Sequence, residues 1–309
     1  MRRWAWFALK AAVSIGMLAL LVHRISWDSI AARMQQISIA GASLALPLLL
    51  ASSFFVALRW RAIAGAVARP MRVTEAWAAT LVGTALDQVL ITLSGDAYRV
   101  WRLNQGSPSL GRAVAGVFLD RVAGVLGIVA LIVAFQPRLL ALPMPGHLIW
   151  VPAALALAVL CAFALLLVLD RWPGLPTGLR WLDELRALAA SARAVFLGPR
   201  VALPVLAAAV AVHLCVCVAV AVLAPALEIR LGLLASLTVV PTVMLITLLP
   251  ISIGGWGVRE GAMVIALGAV GVRESDALLI SVLYGLGWAV VGALGALLWL
   301  AGRPVGRSP

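Results

Sequence analysis

Charge is what this 309-residue sequence has least of: Asp, Glu, Lys and Arg together make up 12% of it, against about 25% in an ordinary soluble domain. A soluble protein has to clothe its surface in polar groups, so this scarcity excludes a water-soluble fold, in line with a mean hydropathy of +1.09. Histidine is confined to His23, His147 and His213, and cysteine to Cys161, Cys215 and Cys217. The histidines are scattered, so no nucleophile–base pair or metal set can be assembled from them. The cysteines lie in apolar stretches, and Cys215 and Cys217 point to different sides of a helix, so they read as small buried hydrophobes. G-x-S-x-G, H-E-x-x-H, Walker and G-x-G-x-x-G patterns are all missing. No cofactor is expected, and any transport would not draw on ATP hydrolysis in this chain.

Apolar sequence is there in abundance. Ala153–Leu169, Val201–Leu223 and Leu278–Leu300 carry no formal charge and approach or exceed the roughly 20 residues that cross the hydrocarbon core. Basic residues outnumber acidic ones by 24 to 12, and every one but Lys10 is arginine. The arginines sit at the ends of apolar runs, as topology determinants and contacts for anionic headgroups do. Nucleic acid is therefore not an expected partner despite a pI near 11.5. Trp4, Trp27, Trp60, Trp77, Trp101, Trp150, Trp172 and Trp181 lie near run ends and read as an interfacial belt.

The runs fall at about 5–22, 39–58, 77–93, 113–135, 148–169, 201–223, 231–250, 261–272 and 278–300. The first, broken by Lys10 and without a small-x-small cleavage site, reads as a retained span. Arg2, Arg3 and Lys10 put the N-terminus in the cytoplasm, and the loop Arg59–Glu75 with its four arginines is placed there too. The short run Trp77–Leu93 contains Asp87 and has arginines on both flanks, so it is expected to enter and leave on the cytoplasmic side. Such a re-entrant hairpin is tolerated only where protein or water covers its backbone. The arginine-rich loop Asp170–Arg200 is cytoplasmic. If 231–250 is also a hairpin, it opens from outside, and Arg303 and Arg307 return the tail to the cytoplasm.

The expected fold is all-α: a single membrane domain of about six full spans plus two oppositely oriented broken-helix hairpins, or 7–8 segments if the hairpins are counted. Residues 1–38 hold the extra first span, 39–135 a first half, 136–200 a connecting span and loop, 201–300 an inverted second half and 301–309 the tail. Inverted halves of this kind place binding sites at broken helices near the midplane. Ile91-Thr92-Leu93 recurs as Ile246-Thr247-Leu248, a weak echo between the halves.

Two glycine-bearing turns carry the candidate chemistry. Ser94-Gly95-Asp96-Ala97-Tyr98-Arg99 follows the first short run, and Pro250-Ile251-Ser252-Ile253-Gly254-Gly255-Trp256-Gly257-Val258-Arg259-Glu260 follows the second. Proline and glycine stop a helix and let backbone amides face a cavity, and an arginine beside the break can fork onto a phosphate. Asp96 and Glu260 would hold those arginines or bind an amine or proton. An interfacial loop with its charges in water remains the plainer alternative. Asp120-Arg121 lies inside the run 113–135, either facing the bundle interior or forming a structural ion pair near the cytoplasmic face. Asp87 is either a helix cap or a functional group beside Gln88.

At these turns the sequence resembles the flippase-like membrane domain of lysylphosphatidylglycerol synthases, which also occurs alone. Gly95-Asp96 with Arg99 is similar to a Gly-Glu-x-x-Arg turn of that family; Arg59-Trp60-Arg61 resembles its early arginine pair, and Asp120-Arg121 its acid–arginine pair. Pro250-x-Ser252-x-Gly254-Gly255-x-Gly257-Val258-Arg259-Glu260 is the most specific likeness. Gly124 stands near a place where family members often carry a further acid. The soluble aminoacyl-transferase domain has no counterpart in this sequence, so lipid synthesis is not implied. The resemblance implies movement of a phospholipid or related polar-headgroup lipid across a bacterial inner membrane, membrane lipids being the partners. The alternatives are a non-catalytic partner of a lipid- or glycan-modifying enzyme and an integral-membrane transferase. The residues expected to meet the lipid are Gly95, Asp96, Arg99, Asp120, Arg121, Ser252, Gly254, Gly255, Gly257, Arg259 and Glu260.

Overall fold

The computed structural model describes residues 16–17, 19–25, 27–89, 93–142, 149–172, 179–248 and 255–301. Most of the expected first span, the expected tail and both hairpin tips, including Ser252 and Gly254, fall outside those residues. The described residues form helices and connecting turns: α1 Trp27–Met34, α2 Ile39–Ser43, α3 Ala45–Val67, α4 Val73–Val89, α5 Ser94–Asn104, α6 Leu110–Leu139, α7 Val151–Val168, α8 Arg180–Phe196, α9 Ala202–Leu223, α10 Leu233–Thr247, α11 Val258–Gly268 and α12 Glu274–Leu300. Among the described residues, five stretches are long and apolar enough to span a bilayer: Ile39–Val67, Leu110–Leu139, Val151–Arg171, Ala202–Leu227 and Glu274–Leu300. The protein is a multi-pass helical membrane bundle.

Helices dominate because lipid offers the backbone no hydrogen-bond partner, so each span has to satisfy its own amides. Starts are marked by side chains: Ser38 accepts the Gly41 N–H at the head of α2, and Ser109 accepts that of Arg112 at the head of α6. Position within the bundle follows composition. In α6, 56% of the most apolar stretch is enclosed by protein, against 11% in α7, which holds no polar side chain and presents its leucines outward. Cys161 on α7 is therefore exposed rather than buried as expected, whereas Cys217 on α9 is in the core.

The short helices pair as two hairpins. The arms α4 and α5 meet near their tip, where Ser94 Oγ donates to the Leu86 carbonyl at 2.9 Å. They are tied at their base, where Arg69 bonds Glu75 at 2.6 Å and the carbonyls of Arg102 and Leu103. The second hairpin is α10 with α11, so the run 231–250 supplies one arm and 261–272 most of the other. Its base lies at the opposite end of the bundle. There Arg33 joins Asp276, at the head of α12, at 2.7 Å and also donates to the Leu227 carbonyl. The hairpins thus open toward opposite ends, and α12 lies antiparallel along α4, with Gly295 against the Leu81 carbonyl.

One boundary departs from expectation with consequences. The run 39–58 does not stop at Arg59: α3 continues through Arg59, Trp60 and Arg61 to Val67. The loop expected from residue 59 begins only after Ala68, because Arg59 finds a carboxylate inside the bundle. Trp60 is likewise fully buried rather than interfacial, whereas Trp27, Trp101, Trp150, Trp172 and Trp181 are exposed as a belt requires.

Candidate functional site

Charges are expensive in the middle of a bilayer, about 2.5–3.5 kcal/mol each by insertion scales, so every buried ion here should have a partner. The first hairpin meets that demand with a chain of alternating charge. Arg59 of α3 forks onto Asp120 of α6, Nε to Oδ1 at 2.7 Å and Nη2 to Oδ2 at 3.2 Å. Arg99 of α5 reaches the same carboxylate, Nη2 to Oδ2 at 2.7 Å, and lies 4.4 Å above the ring of Trp60. Asp96, one turn before Arg99, sits 3.6 Å from it and accepts from Arg121 Nε at 2.8 Å. Arg121 then approaches Asp87 at 3.8 Å. The series runs Arg59, Asp120, Arg99, Asp96, Arg121, Asp87.

The sequence neighbours Asp120 and Arg121 therefore do not pair with each other. Successive residues on a helix point about 100° apart, so Asp120 turns inward to two guanidiniums while Arg121, 45% exposed at its side chain, turns to the hairpin. Asp87 proves to be a cap across the hairpin: its Oδ1 accepts the Gly95 N–H, at the first turn of α5, at 2.9 Å. A carboxylate there satisfies an orphan amide and the positive end of the helix together.

The second motif is built around Glu260, which is completely buried. Its Oε2 accepts the N–H of Gly257 at 2.6 Å, closing the first turn of α11. Gly257 precedes the helix with φ at +87°, a conformation open to glycine and strained for other residues. The other oxygen, Oε1, receives Arg259 through Nη2 at 2.5 Å and Nε at 3.0 Å, and Ser281 Oγ of α12 at 3.2 Å. The Arg259 guanidinium rests 4.6 Å from the ring centre of Trp256 and 5.6 Å from that of Tyr284. Gly285 lies against its far side, where a Cβ would collide with the guanidinium.

These two clusters flank two adjoining cavities. One, of about 250 Å³, is lined by Arg59, Asp87, Gly95, Asp96, Arg99, Asp120, Arg121 and His213 among others. The other, of about 270 Å³, is lined by Gln88, Thr247, Gly255 and Arg259. Thr84, Asp87, Met244, Tyr284 and Trp288 line both. The walls combine guanidinium, carboxylate and hydroxyl groups with apolar faces, an arrangement suited to a polar headgroup bearing an apolar tail.

Gly95, Asp96, Arg99, Asp120 and Arg121 are thus brought together at the first cavity. Gly255 and Arg259 line the second, with Gly257 and Glu260 setting the arginine behind it; Ser252 and Gly254 lie outside the described residues. Sequence reasoning left Arg59, His213, Ser281 and Tyr284 out of the site. Arg59 was marked only by its resemblance to the family's arginine pair, and its partner is 61 positions away. Among the described residues no three His, Cys, Asp or Glu side chains are grouped to hold a metal ion.

The sequence profile of the family described as the lysylphosphatidylglycerol synthase TM region matches residues 7–304. No curated protein matches the chain at a significant level.

Proposed function

This chain belongs to the lysylphosphatidylglycerol synthase transmembrane-region family, and from that premise we propose that it moves a phospholipid or related polar-headgroup lipid across the bacterial inner membrane. The observation that carries the proposal is the pair of adjoining cavities with charged groups set in largely apolar walls, one at each oppositely opened hairpin, with five side chains common to both. A headgroup can be handed from one cavity to the other while its acyl chains stay in the bilayer along the leucine-rich exterior. The two hairpins read as the broken helices of two inverted halves, the design that places a binding site between repeats. In this reading Arg99, Arg121 and Arg259 meet phosphate, while Asp96 and Glu260 hold their guanidiniums in place. The positions of the arginine-rich segments favour a cytoplasmic N-terminus and tail.

The test is a proteoliposome assay with a fluorescent phospholipid whose outer-leaflet copies are quenched chemically. Wild type should expose the inner-leaflet lipid; Arg259→Ala and Glu260→Ala should not. Undiminished translocation by both variants would refute the site. No translocation by the wild type, together with a co-purifying lipid-modifying enzyme, would favour the supporting-partner role instead.

A further inference from the structure

The alternating charges of the first cavity do not end symmetrically. At the deep end Arg59 and Arg99 share the carboxylate of Asp120, and Arg99 also lies 3.6 Å from Asp96. Both arginines are buried, and each keeps a donor without an acceptor: Arg59 Nη1 and Arg99 Nε. Uncompensated buried donors are costly, the more so inside a membrane bundle. The neighbouring histidine repeats the pattern. His213 on α9 uses Nε2 on the Gly124 carbonyl at 2.9 Å; a carbonyl only accepts, so Nε2 carries the proton and Nδ1 is left shielded and without a partner. Gly124 connects the two groups, because a Cβ there would stand 3.2 Å from Arg59 Nη1. The residue that anchors His213 is also the one whose missing side chain makes room for Arg59.

Resting on the lipid-transport reading, we propose that Arg59, Arg99 and His213 form the seat for one phosphoryl group, either the phosphodiester of a lipid headgroup or free phosphate. An oxyanion there supplies the acceptors that Arg59 Nη1 and Arg99 Nε lack. His213 Nδ1 faces the same ligand as an acceptor from a protonated or hydroxyl-bearing oxygen, or as a donor once protonated. Arg121 and Asp87, at the other end of the series, lie outside this seat.

The experiment measures binding rather than transport. The purified full chain in micelles of a phosphate-free maltoside detergent is titrated by calorimetry with inorganic phosphate, with dihexanoyl phosphatidylglycerol, and with dihexanoylglycerol as a phosphate-free control. Binding of a phosphate-bearing ligand but not of the control is expected. Binding by the phospholipid alone identifies a headgroup; binding by inorganic phosphate identifies the free anion. Arg59→Gln and Gly124→Ala should each weaken that binding tenfold or more, as expected for loss of a charge-assisted hydrogen bond. Gly124→Ala keeps every charged residue, so it tests the seat even if Arg59→Gln fails to fold. No phosphate-dependent binding by the wild type, or unchanged binding in folded Gly124→Ala, would overturn the seat. Lipid translocation by the same purified wild type in proteoliposomes would leave the transport reading standing; Arg59-dependent phosphate binding without translocation would retain the seat and remove that reading.

Discussion

Replacing Asp120 with Asn is the sharpest perturbation of the buried charges. The carboxylate accepts three hydrogen bonds from two arginines, at 2.7, 3.2 and 2.7 Å, and is 1% exposed. Asparagine has nearly the same shape but removes the charge and turns one oxygen into an NH2 group facing a guanidinium. Arg99 retains Asp96 at 3.6 Å, so the loss falls mainly on Arg59. Breaking a buried pair by removing one partner costs about 3–5 kcal/mol. For a chain of this size that lowers the midpoint of thermal unfolding by roughly 6 °C or more. Tryptophan fluorescence during heating in detergent reads the shift, and unfolding half-lives at a fixed temperature replace midpoints if unfolding is irreversible. Arg59→Gln combined with Asp120→Asn should cost less than the two single changes added together, by about 0.5–3 kcal/mol. A midpoint within 1 °C of wild type for Asp120→Asn, or strict additivity in the pair, would refute the idea that these charges are mutually compensated in a water-poor interior.

Gly285→Ala should push Arg259 off Glu260 and reduce lipid translocation tenfold or more, the scale of one charge-assisted hydrogen bond; transport at the wild-type rate would show the guanidinium free to move. Gly257→Ala forces alanine to φ near +87° and should destabilise the protein by about 1–2 kcal/mol, seen as an earlier thermal midpoint. Arg121→Ala, at a side chain 45% exposed, should cost under about 1 kcal/mol, whereas Arg59→Ala should cost several times that in the same melt. Cysteines placed at the exposed positions Arg72 and Arg230 should react with a membrane-impermeant maleimide from opposite sides, Arg72→Cys only from the cytoplasm; labelling of both from one side would contradict the opposed hairpins.

The spans were legible because lipid leaves few ways to satisfy a backbone, so long uncharged runs such as Val201–Leu223 have little choice but to be helices. The arginines on both flanks of Trp77–Leu93 pointed to a hairpin, but that run forms only one arm, α4, and the expected cytoplasmic flank with Arg99 forms the other, α5. The second hairpin was read less well: its two arms appear as separate apolar runs, and only their packing joins them. Glycine clusters with an adjacent arginine and acid pointed to Arg99, Arg259 and Glu260, since such residues in an apolar context are rarely idle. Arg59 was misread for a physical reason. At the edge of an apolar run an arginine that snorkels and one that turns inward look the same, and the carboxylate that decides between them is on another helix. His213 gave no local signal, because its partner is a backbone carbonyl. Trp60 was assigned to the interface by the same proximity to a run end, whereas its ring serves as the floor beneath Arg99.

Transport by this route requires a lipid headgroup to pass between the two cavities across the Thr84–Thr247 region, where an arm of each hairpin borders the same space. Thr84→Cys with Thr247→Cys, in a background lacking Cys161, Cys215 and Cys217, can be joined by a short bis-methanethiosulfonate, methanesulfinate leaving from each end, and assayed in proteoliposomes before and after reductive cleavage. Cross-linking should stop lipid translocation and cleavage of the linker should restore it. Complete cross-linking with unimpaired translocation would contradict passage through this space.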